Sequence, residues 1–187
     1  MTWQTIRLSD AVASPWRNGG GVTRELAAWP AGAADWTWRI SVAEVAASGP
    51  FSCFPGVQRW FAVLSGSGVR LRLPQAEHRL TAASAPFEFD GAVPVDCALL
   101  DGPTQDLNLM VRRDRAVARM RRLSGRQRLL ADAARTVAVY AAGAPARLRD
   151  ENAVFELPAH GLAWRVVPAG VPVEVTTTDA LWMEIEP

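Results

Sequence analysis

The 187-residue chain contains no lysine, so all 20 of its basic residues are arginines. An anion site in this protein must therefore use guanidinium groups, whose forked donors bind a carboxylate through two parallel hydrogen bonds. The absence of lysine also argues against the nucleotide-binding loop that needs one. Because 19 acidic residues leave a formal net charge of only +1, no overall field favours nucleic acid or an anionic membrane.

Histidine and cysteine are scarce, with two of each, His78, His160, Cys53 and Cys97. The histidines lie far apart and the cysteines form no C-x-x-C pair, so we predict no metal site and no cofactor. Both thiols are expected to be free and buried. No G-x-S-x-G motif marks a nucleophilic serine.

Long apolar runs are also missing. No run reaches the roughly 18 residues that a membrane-spanning helix needs. The N-terminal stretch MTWQTIRLSD has no basic segment followed by an apolar one, so it does not resemble a signal peptide. The expectation is a cytoplasmic protein without a membrane partner.

Short segments with a two-residue alternation dominate the chain. They are WTWRISVA (36–43), RWFAVL (59–64), VRLRL (69–73), FEF (87–89), DCALL (96–100), LNLMV (107–111), TVAVYAAG (136–143), AVFEL (153–157), LAWRVVPAG (162–170), VPVEVTT (171–177) and ALWMEIE (180–186). Turn-rich sequences separate them, which is typical of an all-β sandwich or barrel. The segments 59–64 and 69–73, joined by SGSG, are predicted to pair as a hairpin.

The segments fall into two successive groups. This grouping predicts a first barrel at roughly 1–112, a connector at roughly 113–135 and a second barrel at roughly 136–187. The connector region contains eight arginines between Arg112 and Arg128. It fits either a basic helix or two charged strands broken at Ser124–Gly125. We interpret it as a solvated connection, because no aromatic residues alternate with the arginines as in a nucleic-acid surface.

The stretch SPWRNGGGVTRE (14–25) concentrates glycines and hydrogen-bonding groups. It matches neither the Walker A pattern nor G-x-G-x-x-G after a strand. We expect its glycines to allow positive φ or a close approach of the backbone. The loop is either purely structural or lines a ligand pocket.

Three further segments carry polar residues inside otherwise apolar strands. Arg39 and Ser41 share one face of 36–43, Arg59 begins 59–64, and Asn108 and Met110 share one face of 107–111. A buried arginine needs a partner, because an unpaired buried charge is costly. An internal Arg39–Glu25 pair is one explanation, and a pocket for a small carboxylate is the other.

These segments together resemble the HutD/Ves family. The matching motifs are PWRNGGGVTREL (15–26), WRISVAEVAASGPFSCFPGVQRWFAVLSGSGVRL (38–71) and DLNLMVRR (106–113). The resemblance implies a bicupin, that is, two cupin-like barrels of the RmlC-like type in one chain. Cupin enzymes usually carry a histidine-rich metal motif, which RWFAVLSGSGVRLRL lacks. Cupin-like barrels also pair through sheet edges, so a homodimer is one expectation.

The family resemblance implies a bacterial accessory or regulatory role in histidine catabolism, with N-formylglutamate or urocanate as the sensed ligand. The Ves branch is instead tied to environmental stress. The implied pocket residues are Trp16, Asn18, Gly19, Gly20, Thr23, Glu25, Arg39, Ser41, Arg59, Asn108 and Met110. We assign Arg59 as the carboxylate anchor and predict metal-free binding without catalysis. Two alternatives are an enzyme that uses Glu25 on a small carboxylate, and an interaction module that docks through the Arg-rich segment.

Overall fold

The computed structural model describes residues 2–186, and Met1 and Pro187, the ends of the predicted barrels, lie outside that range. The chain divides into two units. The N-terminal unit is Ala11–Ala116, and the C-terminal unit combines the residues up to Asp10 with those from Val117 onward. In this division the residues up to Asp10 belong with the second group of strands, and the predicted connector region from Val117 onward belongs to the C-terminal unit.

Within residues 2–186, all regular elements except one short 3-10 helix are strands. The chain begins with β1 (Gln4–Arg7) and the 3-10 helix (Leu8–Asp10). The N-terminal unit follows with β2 (Ala13–Pro15), β3 (Gly21–Trp29), β4 (Trp38–Val45), β5 (Gly49–Pro50), β6 (Val57–Ser65), β7 (Val69–Leu73), β8 (Ala76–Leu80), β9 (Phe87–Asp90), β10 (Asp96–Leu99) and β11 (Thr104–Arg112). The C-terminal unit contains β12 (Val117–Leu130), β13 (Arg135–Ala141), β14 (Ala146–Arg149), β15 (Val154–Leu157), β16 (Gly161–Val167) and β17 (Pro172–Glu186).

Two antiparallel sheets build the N-terminal unit. One has the order β2-β3-β4-β11-β6-β9 and the other the order β5-β10-β7-β8. The central strand β11 is buried along most of its length. Its side chains alternate between the two faces of the sheet, so Asp106, Asn108 and Met110 share one face and Leu107, Leu109 and Val111 share the other. A cluster of buried residues that includes Phe61, Leu71, Phe89 and Cys97 fills part of this unit.

The predicted hairpin between β6 and β7 is wrong. β6 pairs with β11 and β9, whereas β7 pairs with β10 and β8 in the other sheet. The connection therefore crosses from one sheet to the next. Gly66 and Gly68 both have positive φ, and a Cβ on Gly68 would lie 2.2 Å from the carbonyl oxygen of Leu80, so this tight crossing requires glycine.

The C-terminal unit contains one sheet of seven strands. Its order is β1-β16-β13-β17-β14-β15, and β12 also pairs with β17. The segments 171–177 and 180–186, predicted as separate strands, form the single strand β17. Buried apolar side chains such as Val139, Leu148 and Trp182 pack together in this unit. They form a core of the kind expected from side chains that alternate along each strand.

From Val117 onward the Arg-rich segment is a strand, and a turn joins it to the end of β11 at Arg112, so the helical alternative is wrong. β12 pairs with β17 from Val117 opposite Glu186 to Leu130 opposite Pro172. The pairing shifts between Leu123 and Gly125, where the sequence suggested a break. A bulge at this point keeps one strand continuous instead of dividing it into two.

Candidate functional site

A cavity of about 470 Å³ lies within the N-terminal unit. Eight of the eleven predicted site residues line it, namely Trp16, Asn18, Thr23, Arg39, Ser41, Arg59, Asn108 and Met110. The other three, Gly19, Gly20 and Glu25, are not among the residues that line it. Ligand binding by these residues stays a prediction, but the chain brings most of them to one place.

The strand register explains this convergence. Met110 on β11 lies opposite Arg39 on β4 and opposite Arg59 on β6. One pair further along, Asn108 lies opposite Ser41 on β4. Paired residues of neighbouring strands point to the same face of a sheet. The polar residues of three adjacent strands therefore form one wall of the cavity.

Arg59 is the most unusual residue of this wall, because it carries a charged guanidinium and yet is only 6% exposed. Its Nη2 donates a 2.8 Å hydrogen bond to Oδ1 of Asn108, and its Nη1 makes a longer 3.5 Å contact to the carbonyl oxygen of Ser52. Within residues 2–186, its Nε has no hydrogen-bond partner and no carboxylate forms an ion pair with it. Burial lowers the pKa of Arg59 to about 10, so the group stays charged at neutral pH.

Aromatic rings surround the Arg59 guanidinium. Its Cζ lies 4.9 Å from the ring centre of Phe89, 5.2 Å from that of Phe51 and 5.7 Å from that of Phe54. Cation–π contacts of this kind stabilise a buried cation by roughly 0.5–2 kcal/mol each. They hold the charge in place but supply no hydrogen-bond acceptor.

Arg39, by contrast, already has a carboxylate partner. Its Nε donates a 2.7 Å hydrogen bond to Oε2 of Glu25, so the expected Arg39–Glu25 pair is present. Because Glu25 does not line the cavity and is bound to Arg39, no observation favours it as a catalytic base.

Gly19 and Gly20 lie in the hairpin loop between β2 and β3, and Gly21 is the first residue of β3. Gly19 has a φ of 70°, and Gly20 donates its N–H to Oδ1 of Asn18 at 3.0 Å. A Cβ on Gly21 would lie 2.3 Å from the carbonyl oxygen of Glu44, so only glycine fits there. The expected positive φ and close backbone approach are both present.

This loop positions Trp16 at the cavity. The indole N–H of Trp16 donates a 2.8 Å hydrogen bond to Oγ1 of Thr23. The bond occupies an acceptor site of the hydroxyl and leaves its proton available to an oxygen in the cavity.

Several lining residues were missed by the sequence analysis. Phe51 and Phe54 were signalled by the motif GPFSCFPG, whose aromatic residues flank a turn, and Phe61 by its position two residues after Arg59. Arg17 also lines the cavity, and its side chain is exposed. Within the described part of the chain, Arg17 has no ion-pair partner.

Asp106 was missed as well, although it begins the motif D-x-N-x-M. It is fully buried, and its Oδ2 accepts a 2.9 Å hydrogen bond from the hydroxyl of Thr104. Its Oδ1 has no partner among residues 2–186. Burial raises the pKa of Asp106 to about 7, because no cation offsets the loss of solvation.

Known proteins resemble this chain both in sequence and in fold. The family model for HutD matches residues 8–183. The chain belongs to the HutD family. A protein of Pseudomonas putida, described as an uncharacterised 21.2 kDa protein in the hutC 3′ region, is 38% identical over 140 residues, which cover 74% of this chain and 73% of the relative. Protein Ves of Citrobacter koseri is 42% identical over 107 residues, which cover 57% of this chain and 56% of Ves.

Two solved structures are similar to this chain over nearly its whole length. HutD from Pseudomonas fluorescens SBW25, in a formate condition, has a TM-score of 0.87 and 31% identity, covering 99% of this chain and 98% of its own. The conserved protein of unknown function PA5104 from Pseudomonas aeruginosa PAO1 has a TM-score of 0.90 and 31% identity, covering all of both chains.

More distant structures identify the fold class of this HutD-family protein. Oxalate decarboxylase from Lactobacillus farciminis has a TM-score of 0.68 at 9% identity, covering 97% of this chain and 85% of its own. At that identity the likeness shows the fold alone, and it confirms the all-β bicupin prediction. In residues 2–186 of the HutD-family chain, no group of three His, Cys, Asp or Glu side chains could hold a metal ion. No helix in the same range is long and apolar enough to cross a membrane.

The C-terminal unit of this HutD-family protein shows how one of its buried arginines, Arg165, is satisfied. Arg165 donates from Nη1 to Oδ2 of Asp150 at 2.5 Å, and the indole N–H of Trp3 donates to the same oxygen at 2.8 Å. The N–H groups of Asn152 and Ala153 donate to Oδ1 at 2.8 Å each. Arg165 therefore has an internal carboxylate partner, whereas Arg59 has none within residues 2–186.

Proposed function

We propose that this HutD-family protein binds a small carboxylate in the cavity of its N-terminal unit and acts as an accessory or regulatory factor of histidine utilisation. The single observation that carries the proposal is Arg59, a buried guanidinium without a carboxylate partner among the described residues. Burying such a charge costs several kcal/mol unless a partner compensates for it. A cavity beside it supplies room for that partner to be a ligand.

Asp150 and Arg165 support this interpretation from within the same chain. There a carboxylate that accepts four donors satisfies a buried arginine. At the N-terminal cavity the corresponding donors come from Arg59, the amide of Asn108 and the hydroxyl of Thr23. A ligand carboxylate would complete the same kind of hydrogen-bonded group at Arg59.

Charge distinguishes the two candidate ligands. Arg17 and Arg59 line the cavity without an ion-pair partner in residues 2–186, whereas Arg39 is paired with Glu25. Among the described residues that line the cavity, none is acidic. N-formylglutamate carries two carboxylates and urocanate one, so two uncompensated arginines favour N-formylglutamate.

The proposed metabolic role is based on the relatives of the protein. The family is HutD, and the P. putida relative is described by its position in the hutC 3′ region. The P. fluorescens HutD structure comes from a formate condition, and formate is the smallest carboxylate. These relatives favour a histidine-utilisation role over the stress role of Ves, and we propose that the protein acts in the cytoplasm.

Calorimetric titration of the purified protein tests the proposal. We expect saturable heat with N-formylglutamate, weaker binding of urocanate, and no binding of the uncharged N-formylglutamate dimethyl ester. The ester is the matched control because it keeps the shape of the ligand and removes both charges. The absence of heat with either acid at millimolar concentration, or equal binding of the ester, would contradict the proposed site.

A further inference from the structure

Asp106 lies beside the cavity on the strand that carries Asn108. The two residues are two positions apart on β11, so their side chains point to the same face, about 7 Å apart along the strand. Asp106 lies opposite Ala43 on β4, and Ala43 lines the cavity. The buried carboxyl is therefore a near neighbour of the amide that accepts a hydrogen bond from Arg59.

Few charged or titratable groups share this interior with Asp106. β10 contributes Cys97, whose pKa is raised to about 12 by burial and by Asp106 itself, so the thiol stays neutral. β6 contributes Arg59 and β4 contributes Arg39, each further along its strand. The buried residues of β7 and β9 are apolar. Among the described residues no cation pairs with Asp106. The charge of this part of the interior therefore changes when Asp106 gains or loses its proton.

We propose that Asp106 is a proton-binding site coupled to the cavity: the protein takes up a proton at Asp106 when a carboxylate binds at Arg59. This inference rests on the proposed function, because it needs a ligand carboxylate at that position. Neither the proton site nor the coupling follows from the family membership of the chain.

The coupling has an electrostatic cause. Near neutral pH the carboxyl exists in both forms, since burial raises its pKa to about 7. A unit negative charge about 10 Å away in a protein interior increases the proton affinity of a carboxylate by roughly tenfold. Coupling between two binding equilibria is reciprocal, so the ligand binds the protonated form roughly tenfold more tightly.

Calorimetry in two buffers measures the proton directly. N-formylglutamate is titrated at pH 7.3 in bis-Tris and in Tris, whose ionisation enthalpies differ and which carry no negative charge. We expect uptake of about half a proton per ligand bound. As the pH is raised from 6 to 9, the dissociation constant should increase roughly tenfold.

Two variants separate Asp106 from other acids. Asp106→Asn cannot titrate, so proton uptake should disappear and the affinity should become independent of pH. Asp96→Asn removes an exposed carboxyl from β10 and should keep the wild-type uptake. Binding without uptake, or uptake that persists in Asp106→Asn, overturns the coupling and leaves the proposed function intact. No binding by the wild type overturns both.

Infrared spectroscopy gives a test that needs no variant. The free wild-type protein should show a protonated carboxyl band that disappears as the pH rises through about 7, and N-formylglutamate should move that transition up by about one pH unit. A protein without such a band, or a transition that the ligand does not move, rules out the coupled proton.

Discussion

Replacing Asp106 with Asn is expected to change how the stability of the protein depends on pH. The pKa of the folded carboxyl is raised from 3.8 to about 7, so the folded state holds this proton more tightly than the unfolded chain does. The associated stabilisation is complete below pH 4 and is lost as the pH rises to about 7. Its full size is about 4 kcal/mol, since one pKa unit corresponds to 1.36 kcal/mol.

Urea unfolding of the wild type and of Asp106→Asn between pH 5 and pH 8 measures this effect. The free energy of unfolding of the wild type should fall by about 2.5 kcal/mol relative to that of the variant over this range. Asn resembles the protonated acid in shape and can still accept the hydrogen bond from Thr104. Asp96→Asn is the control and should follow the wild type. Parallel curves for the wild type and Asp106→Asn would show that the carboxyl is not held with a raised pKa.

Two other predictions concern packing in each unit. Gly21→Ala should destabilise the protein by about 1–3 kcal/mol, because its Cβ would meet the backbone of β4. In Gly20→Ala the three nearest atoms to the new Cβ all belong to the Asn18 side chain, so this control should cost less than about 1 kcal/mol when unfolding is measured in urea. Equal losses for the two variants would contradict the close approach at Gly21. Asp150→Ala leaves Arg165 buried without its carboxylate and should cost about 3–5 kcal/mol, and added acetate should raise the melting temperature of this variant but not that of the wild type. If acetate does not stabilise Asp150→Ala, a free carboxylate does not replace the partner of a buried arginine in this protein. That result would argue against a ligand carboxylate as the partner of Arg59.

The strands that form the polar wall were largely predictable from the sequence. Alternation located β4, β6 and β11, and it correctly placed Arg39 with Ser41 and Asn108 with Met110 on shared faces, because side chains alternate strictly along a strand. The glycine-rich loop was also interpreted correctly as a place for positive φ and close approach. Family resemblance then joined these segments into one site.

Other features depend on contacts between distant segments. β12 was ambiguous because its arginines obscure the alternation, and it is held as a strand by pairing with β17. The connection from β6 to β7 looks like a hairpin locally, yet each strand finds its partners in a different sheet. The decisive property of Arg59 is that it has no carboxylate partner in the part of the chain that the structure describes, and this depends on which residues face it in three dimensions. No local sequence pattern shows which residues those are.

The most direct test of the central claim is the binding of N-formylglutamate to Arg59→Met. Met retains much of the volume of the arginine stem and removes the charge, so the variant should be about as stable as the wild type, since the lost uncompensated charge offsets the lost cation–π contacts. The affinity should fall by roughly 10- to 150-fold, the value of a charge-assisted hydrogen bond of about 1.5–3 kcal/mol. Arg70→Met, which removes a surface guanidinium paired with Glu77 at 3.3 Å, should bind like the wild type. Unchanged affinity in a folded Arg59→Met protein would contradict the role of Arg59 as the carboxylate anchor.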